Sequence, residues 1–217
     1  MELLCHRGVW THRGEQNTPA ACAAAWAGNW GIETDLRDRD GRCVISHDPP
    51  TGDGWTLDGL LGAHRPGTTL ALNVKADGLV PLVVPALDGV DPSDVFVFDM
   101  SVPDQLHWLR AGVATYTRHS DVEPDPVLYA DAVGVWLDAF GSDWWGPDVV
   151  ERHVDAGKRV AIVSPELHGR DHRPVWDRLA AAGVHRLPAV ALCTDHPAQA
   201  ASWFSLPSAL AVPGGVA

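Results

Sequence analysis

Eight short apolar runs punctuate this chain, at residues 2–5, 31–36, 70–75, 95–100, 113–117, 132–137, 160–163 and 189–193. Runs that are apolar without a break read as strands buried on both faces, the condition of a parallel sheet covered by crossover helices. The segments between them support that reading. Residues 103–111, 147–156 and 174–182 are helix-like and each opens on a proline, which suits the first helical position. A weaker helix is expected at 79–87, where prolines interrupt the pattern. Eight strand–helix units are the count of a (β/α)8 barrel, and 217 residues are enough for one. The expected architecture is a single-domain α/β TIM barrel over residues 1–205, with an irregular C-terminal tail at 206–217.

Barrel enzymes carry their sites at the C-terminal strand ends. There the sequence places His6 and Arg7, Glu33 and Asp35, His47, Asn73 and Lys75, Asp99, Arg118, Asp138, Glu166 and His168, then Thr194 and Asp195. Strand alternation puts Glu33 and Asp35 on one face, so both carboxylates can reach one hard cation, Mg²⁺ or Ca²⁺. A barrel strand should not bury two carboxylates without a cation or basic partner. An Asp40-Gly41 turn followed by an apolar run at 43–46 delivers His47 toward the same region. Two imidazoles can act as acid and base, and Arg7 and Lys75 can hold a phosphate. Together these groups suit cleavage of a phosphodiester. The blander alternative pairs Arg7 with Asp35 and Lys75 with Glu33 as structural ion pairs. Asp48 is expected to orient a loop or His47, and Asp138, Glu166 and His168 are candidate substrate contacts.

His6-Arg7-Gly8, Gln16-Asn17-Thr18, Glu33-Thr34-Asp35 and His47-Asp48 occur in an order and spacing that resembles the glycerophosphodiester phosphodiesterases and the wider group of phospholipase-C-like phosphodiesterases. The match is close over the first third of the chain. It implies a (β/α)8 barrel, a divalent metal and two catalytic histidines, His6 and His47. Three departures stand out. Gln16 replaces the usual glutamate of Glu-Asn-Thr, the loop after Asp35 is one residue shorter, and Asn73-x-Lys75 stands where the family reads Glu-x-Lys. The resemblance makes position 73 the third metal ligand beside Glu33 and Asp35, and a neutral amide there should weaken cation binding. A second His-Arg-Gly, at residues 12–14, follows a loop instead of a strand and is the lesser candidate for the site.

A net charge of −12 disfavours nucleic acid and anionic membrane surfaces as partners. A small-molecule phosphodiester must then be drawn by local cations, and lysine is scarce enough to make Lys75 notable. The four cysteines, Cys5, Cys22, Cys43 and Cys193, lack metal-type spacing and read as reduced core residues. No apolar run is long enough to span a membrane and no leader precedes the first strand, so the expected compartment is the cytoplasm. Among the ten tryptophans, Trp10, Trp55, Trp136, Trp144 and Trp145 fall near strand ends or loops, where packing is the leading reading and ligand stacking the other. The expected function is metal-assisted phosphodiester cleavage by a histidine pair, on a glycerophosphodiester-like or sugar-linked substrate. Two alternatives are a non-catalytic barrel that binds phosphorylated head groups or sugars, and a lyase that releases a cyclic phosphate.

Overall fold

A computed structural model describes residues 1–207. In chain order it contains β1 (Glu2–His6), α1 (Pro19–Ala27), β2 (Gly31–Arg39), β3 (Arg42–Ile45), α2 (Leu57–Ala63), β4 (Leu70–Val74), α3 (Val80–Ala86) and β5 (Val95–Phe98). There follow α4 (Val102–Arg110), β6 (Tyr116–His119), β7 (Gly134–Leu137), α5 (Pro147–Asp155), β8 (Arg159–Val163), α6 (Arg173–Ala181), β9 (Val190–Thr194) and α7 (Pro197–Trp203). All strands except β3 pair in parallel, in the order β5-β4-β2-β1-β9-β8-β7-β6. The ring closes between β5 and β6 through a single bridge, Val97 to Thr115, with the Val97 amide donating to the Ala114 carbonyl at 2.9 Å. This is the (β/α)8 barrel read from the sequence.

Local chemistry accounts for the elements. Thr18 and Ser101 cap α1 and α4, their hydroxyls accepting from Ala21 and Asp104 amides. Prolines open α5 and α7 at the first helical position. The 79–87 helix forms as α3 despite an internal Pro85. The hairpin of β2 and β3 turns on Asp40 and Gly41, both left-handed at φ 48° and 75°, as a two-residue turn of the primed type requires. β3 therefore hangs from β2 outside the barrel ring. The run at 113–117 starts too early: the strand begins at Tyr116, and Thr115 contributes only the closing bridge. No helix joins β6 to β7, a stretch that contains Pro124 and Pro126. Leu206 and Pro207, at the start of the expected tail, have no regular structure, and residues 208–217 lie outside the described residues.

Two apolar layers hold the barrel. The interior is filled by Leu4, Ala71, Phe96, Phe98, Tyr116, Trp136, Ala161, Val163 and Cys193, and the layer between strands and helices forms a larger core. Aromatic rings crowd the interior beside β5 to β7. Phe96 stacks on Tyr116 and Phe98 on Trp136, each pair with centroids 3.8 Å apart. Gly134 makes that packing possible, because a Cβ there would stand 2.5 Å from the Tyr116 ring. All four cysteines are free and buried. Burial pushes the Cys22 and Cys43 thiols up to about 12, which leaves them unreactive. Among the described residues no helix is long and apolar enough to cross a membrane.

A partly buried relay centred on His153 ties α5 to the end of β6 and to the irregular β6–β7 segment. His119 Nδ1 lies 2.9 Å from His153 Nε2, and the Tyr129 hydroxyl lies 2.9 Å from His153 Nδ1. Burial, then His119 and Arg152, lower the His153 pKa to about 4. The folded state thus keeps His153 neutral where the unfolded chain would protonate it. Stability from this source is intact above pH 6.5, falls as pH drops from there toward 4, and then levels off, a loss of at most about 3 kcal/mol. Thermal melts across pH 7 to 4 should show a shallower decline in His153→Gln than in the parent; equal slopes would remove the relay from the acid response.

Candidate active site

The C-terminal mouth opens into a cavity of about 430 Å³. His6, Arg7, Glu33, His47, Asn73, Lys75, Asp138, Glu166 and His168 all line it, with Trp10, Asp99, Arg118 and Asp195. Parallel register explains the convergence, since His6 pairs with Glu33 and Asp35 with Asn73 across β1, β2 and β4. His47 arrives from β3, with its backbone carbonyl held by Arg37 Nε at 2.8 Å.

His6 is the best-anchored group. Its Nδ1 lies 2.7 Å from Asp195 Oδ1 at the end of β9, and its Nε2 is 3.9 Å from Glu33 Oε2. A carboxylate on Nδ1 fixes the ring and stabilises the imidazolium, leaving Nε2 toward the cavity. Asp195 is held in turn, its amide donating to Glu166 Oε1 at 3.2 Å. Glu166 also accepts from the hydroxyls of Thr194 and Ser164, so its carboxylate is engaged by the scaffold although it lines the cavity. His47 is half-exposed, with Nδ1 2.9 Å from Asp48 Oδ1, which fits the orienting role expected of Asp48.

Asp35 lies beneath the cavity, fully buried. Arg7 Nε is 2.9 Å from Asp35 Oδ2 and Lys75 Nζ 3.5 Å from Oδ1, so both cations pair with Asp35 and neither pairs with Glu33. Asn17 completes the cradle: its Nδ2 donates to Asp35 Oδ2 at 2.9 Å and its Oδ1 accepts from Thr34 at 2.7 Å. Arg7 and Asn17 reach these positions with φ of 59° and 58°, left-handed backbone outside glycine. Gly8 follows at φ 88°, where a Cβ would stand 2.6 Å from the Ala21 backbone. The glycine lets the loop press against α1.

Glu33 is buried, and burial together with the Asp35 charge raises its carboxyl to about 7, against the lowering pull of His6, Arg7 and Lys75. Asn73 donates from Nδ2 to Glu33 Oε1 at 3.3 Å and to Asp99 Oδ2 at 3.2 Å. Three buried oxygens are left without a hydrogen bond here: Glu33 Oε2, Asp35 Oδ1 and Asn73 Oδ1. Buried carboxylate and amide oxygens without hydrogen bonds fit a hard divalent cation, although Lys75 Nζ already stands 3.5 Å from Asp35 Oδ1. Among the described residues no group of three or more His, Cys, Asp or Glu side chains is placed to hold a metal, which leaves the unpartnered Asn73 amide oxygen as a further candidate ligand beside Glu33 and Asp35.

On the opposite side, Arg118 pairs with Asp99, with Glu123 at 3.3 Å and with Asp138 at 3.5 Å, and His168 Nε2 lies 2.7 Å from Asp138 Oδ1. Of the tryptophans, Trp10 lines the cavity and donates to the His6 carbonyl at 3.0 Å. Trp136 reaches the cavity floor but is a stacked core residue, and Trp145 is buried. Trp144 packs edge-on against His119, and Trp55 packs on the outer core. The second motif, His12 to Gly14, is exposed, with Arg13 touching the cavity rim.

The fold and this mouth define a barrel with a histidine–carboxylate site facing a charged wall. No protein-family model matches the chain, and no curated protein matches it. Solved structures do. A glycerophosphodiester phosphodiesterase from Agrobacterium tumefaciens matches with a TM-score of 0.72 at 18% identity, over 94% of this chain and 99% of that one. An Oleispira antarctica phosphodiesterase, in complex with its product sn-glycerol-3-phosphate, matches with a TM-score of 0.67 at 18% identity, over 94% and 97%. The chain has the barrel fold of these phosphodiesterases across nearly its whole length.

Proposed function

We propose that the chain is a phosphoric diester hydrolase acting on glycerophosphodiester-like substrates. The observation that carries this reading is the meeting of His6, braced by Asp195, with His47 in one cavity above Glu33, Asp35 and Asn73. The order of His6, Glu33, Asp35 and His47 along the chain resembles the motif order of the glycerophosphodiester phosphodiesterases, with Asn73 as the departure. A divalent cation bound by Glu33, Asp35 and Asn73 would supply Lewis-acid stabilisation of charge on the non-bridging phosphate oxygens. Arg7 and Lys75 line the cavity while paired to Asp35, so each can offer its remaining N–H groups to the phosphate without leaving the carboxylate. His6, with Asp195 stabilising its protonated form, is suited to take a proton from a substrate hydroxyl or water. His47, half-exposed, would then protonate the leaving alkoxide, and the roles can reverse in a second step.

The direct test is incubation of the purified protein with glycerophosphodiesters in Mg²⁺ or Ca²⁺, following release of sn-glycerol-3-phosphate and any cyclic phosphate by phosphorus NMR. Cleavage that stops with chelator and returns with cation is expected. Intact diesters in both cations would remove the hydrolase reading. Cyclic phosphate as the sole end product would replace it with the lyase.

A further inference from the structure

The wall facing the histidines is built to a different plan. A continuous chain of polar contacts runs along it: Asn73 to Asp99 at 3.2 Å, Asp99 to Arg118, Arg118 to Asp138 at 3.5 Å, and Asp138 to His168 at 2.7 Å. Asp99 and Asp138 are already engaged, the latter also by the Ala139 amide at 2.8 Å. Arg118 stands over the Phe140 ring, 5.0 Å from its centroid, and the His168 ring lies 4.8 Å from that centroid. Arg118, His168 and Phe140 all line the cavity. None of these contacts involves His6 or His47.

From this we infer that the Asp99–Arg118–Asp138–His168 wall is the subsite for the second alcohol of the diester, and that it takes an uncharged polyhydroxyl group over a quaternary ammonium. The inference rests on the phosphodiesterase reading. A hydroxyl both accepts and donates, so a polyol can take N–H groups from Arg118 or His168 and give its own protons to the carboxylates. Its C–H face can lie against the exposed edge of Phe140. A trimethylammonium group can do none of the hydrogen bonding, and a site built around polar groups rejects a ligand that leaves them unpaired. It would also have to displace Arg118 from the face of the Phe140 ring. The two carboxylates offset Arg118, which argues against a second anion. A cavity of about 430 Å³ suits a phosphate with small alcohols.

Calorimetric titration of the full chain in excess Mg²⁺ with inositol 1-phosphate and with phosphocholine tests this without requiring turnover. The polyol ester is expected to bind about tenfold tighter or better. In His168→Ala and in Phe140→Ala, both near the rim, that ratio should fall to about threefold or less through weaker binding of the inositol ester. Equal affinities in the parent, binding of neither ester, or a ratio unchanged in both variants would overturn the inference. The same ratios read as kcat/KM on glycerophosphoinositol and glycerophosphocholine separate the two claims. Cleavage of both diesters at equal efficiency removes the subsite and keeps the hydrolase. Selective binding with no cleavage of either keeps the subsite and removes the hydrolase.

Discussion

His6→Ala and His47→Ala are each expected to lower phosphodiester turnover by about 10² or more with the melting temperature nearly unchanged, because each side chain transfers a proton and neither fills the core. His47 is half-exposed, and His6, though mostly buried and bonded to Asp195, lines the cavity and is no part of the apolar core. The double variant should be little worse than the single ones, as groups that act in one step are not additive. Asp195→Asn should fall between parent and His6→Ala, since it keeps the hydrogen bond to Nδ1 and loses the charge that stabilises the imidazolium. Full activity in His47→Ala on a diester that the parent cleaves would end the two-histidine mechanism.

A second large effect is expected at position 73. Glu33, Asp35 and an amide carry one negative charge fewer than a three-carboxylate site, and Arg7 and Lys75 already neutralise much of Asp35. The parent should therefore bind Mg²⁺ or Ca²⁺ weakly when free and rely on substrate phosphate to complete the coordination shell. Asn73→Glu should tighten cation binding by about tenfold or more. The same change replaces the amide that donates to Glu33 and Asp99 with a third carboxylate, so the metal-free variant should melt lower and gain more from Mg²⁺ than the parent. Tight binding by the parent, unaltered in Asn73→Glu and lost in Asp35→Ala, would mean that the third ligand comes from elsewhere.

The alternation of apolar runs and proline-led helices carried the barrel, because burial on both faces leaves a signature in every strand. The same logic placed His6, Glu33, His47, Asn73 and Lys75 at one mouth. It failed where long-range pairing decides the outcome. Asp195 stood among the strand-end polar residues without a role, since nothing local reveals that β9 closes against β1 and brings it to His6, 189 positions away. Nor could that logic show that Glu166, expected as a substrate contact and lining the cavity, also accepts from three donors of the scaffold. Period-two alternation put Glu33 and Asp35 on one face correctly. It could not show that left-handed Arg7 and Asn17 bring their side chains onto Asp35, which lies beneath the cavity that Glu33 lines.

The single bridge at Val97 and Thr115 gives the barrel a mechanical asymmetry. Two arcs of sheet, residues 1–98 and 116–194, are firmly laced at β1 and β9, yet on the other side their backbones meet by one bridge, backed by the Phe96–Tyr116 and Phe98–Trp136 stacks and, at the mouth, by the Asp99–Arg118 ion pair. Such a molecule resembles a split ring with a clasp, and its easiest deformation is a slight parting of the arcs on the β5–β6 side. Native-state hydrogen exchange should then release the Val97 amide well before those of β1, and a polyol ester resting on the clasp should slow that release. Protection at Val97 equal to that of β1 would mean a ring without a weak side.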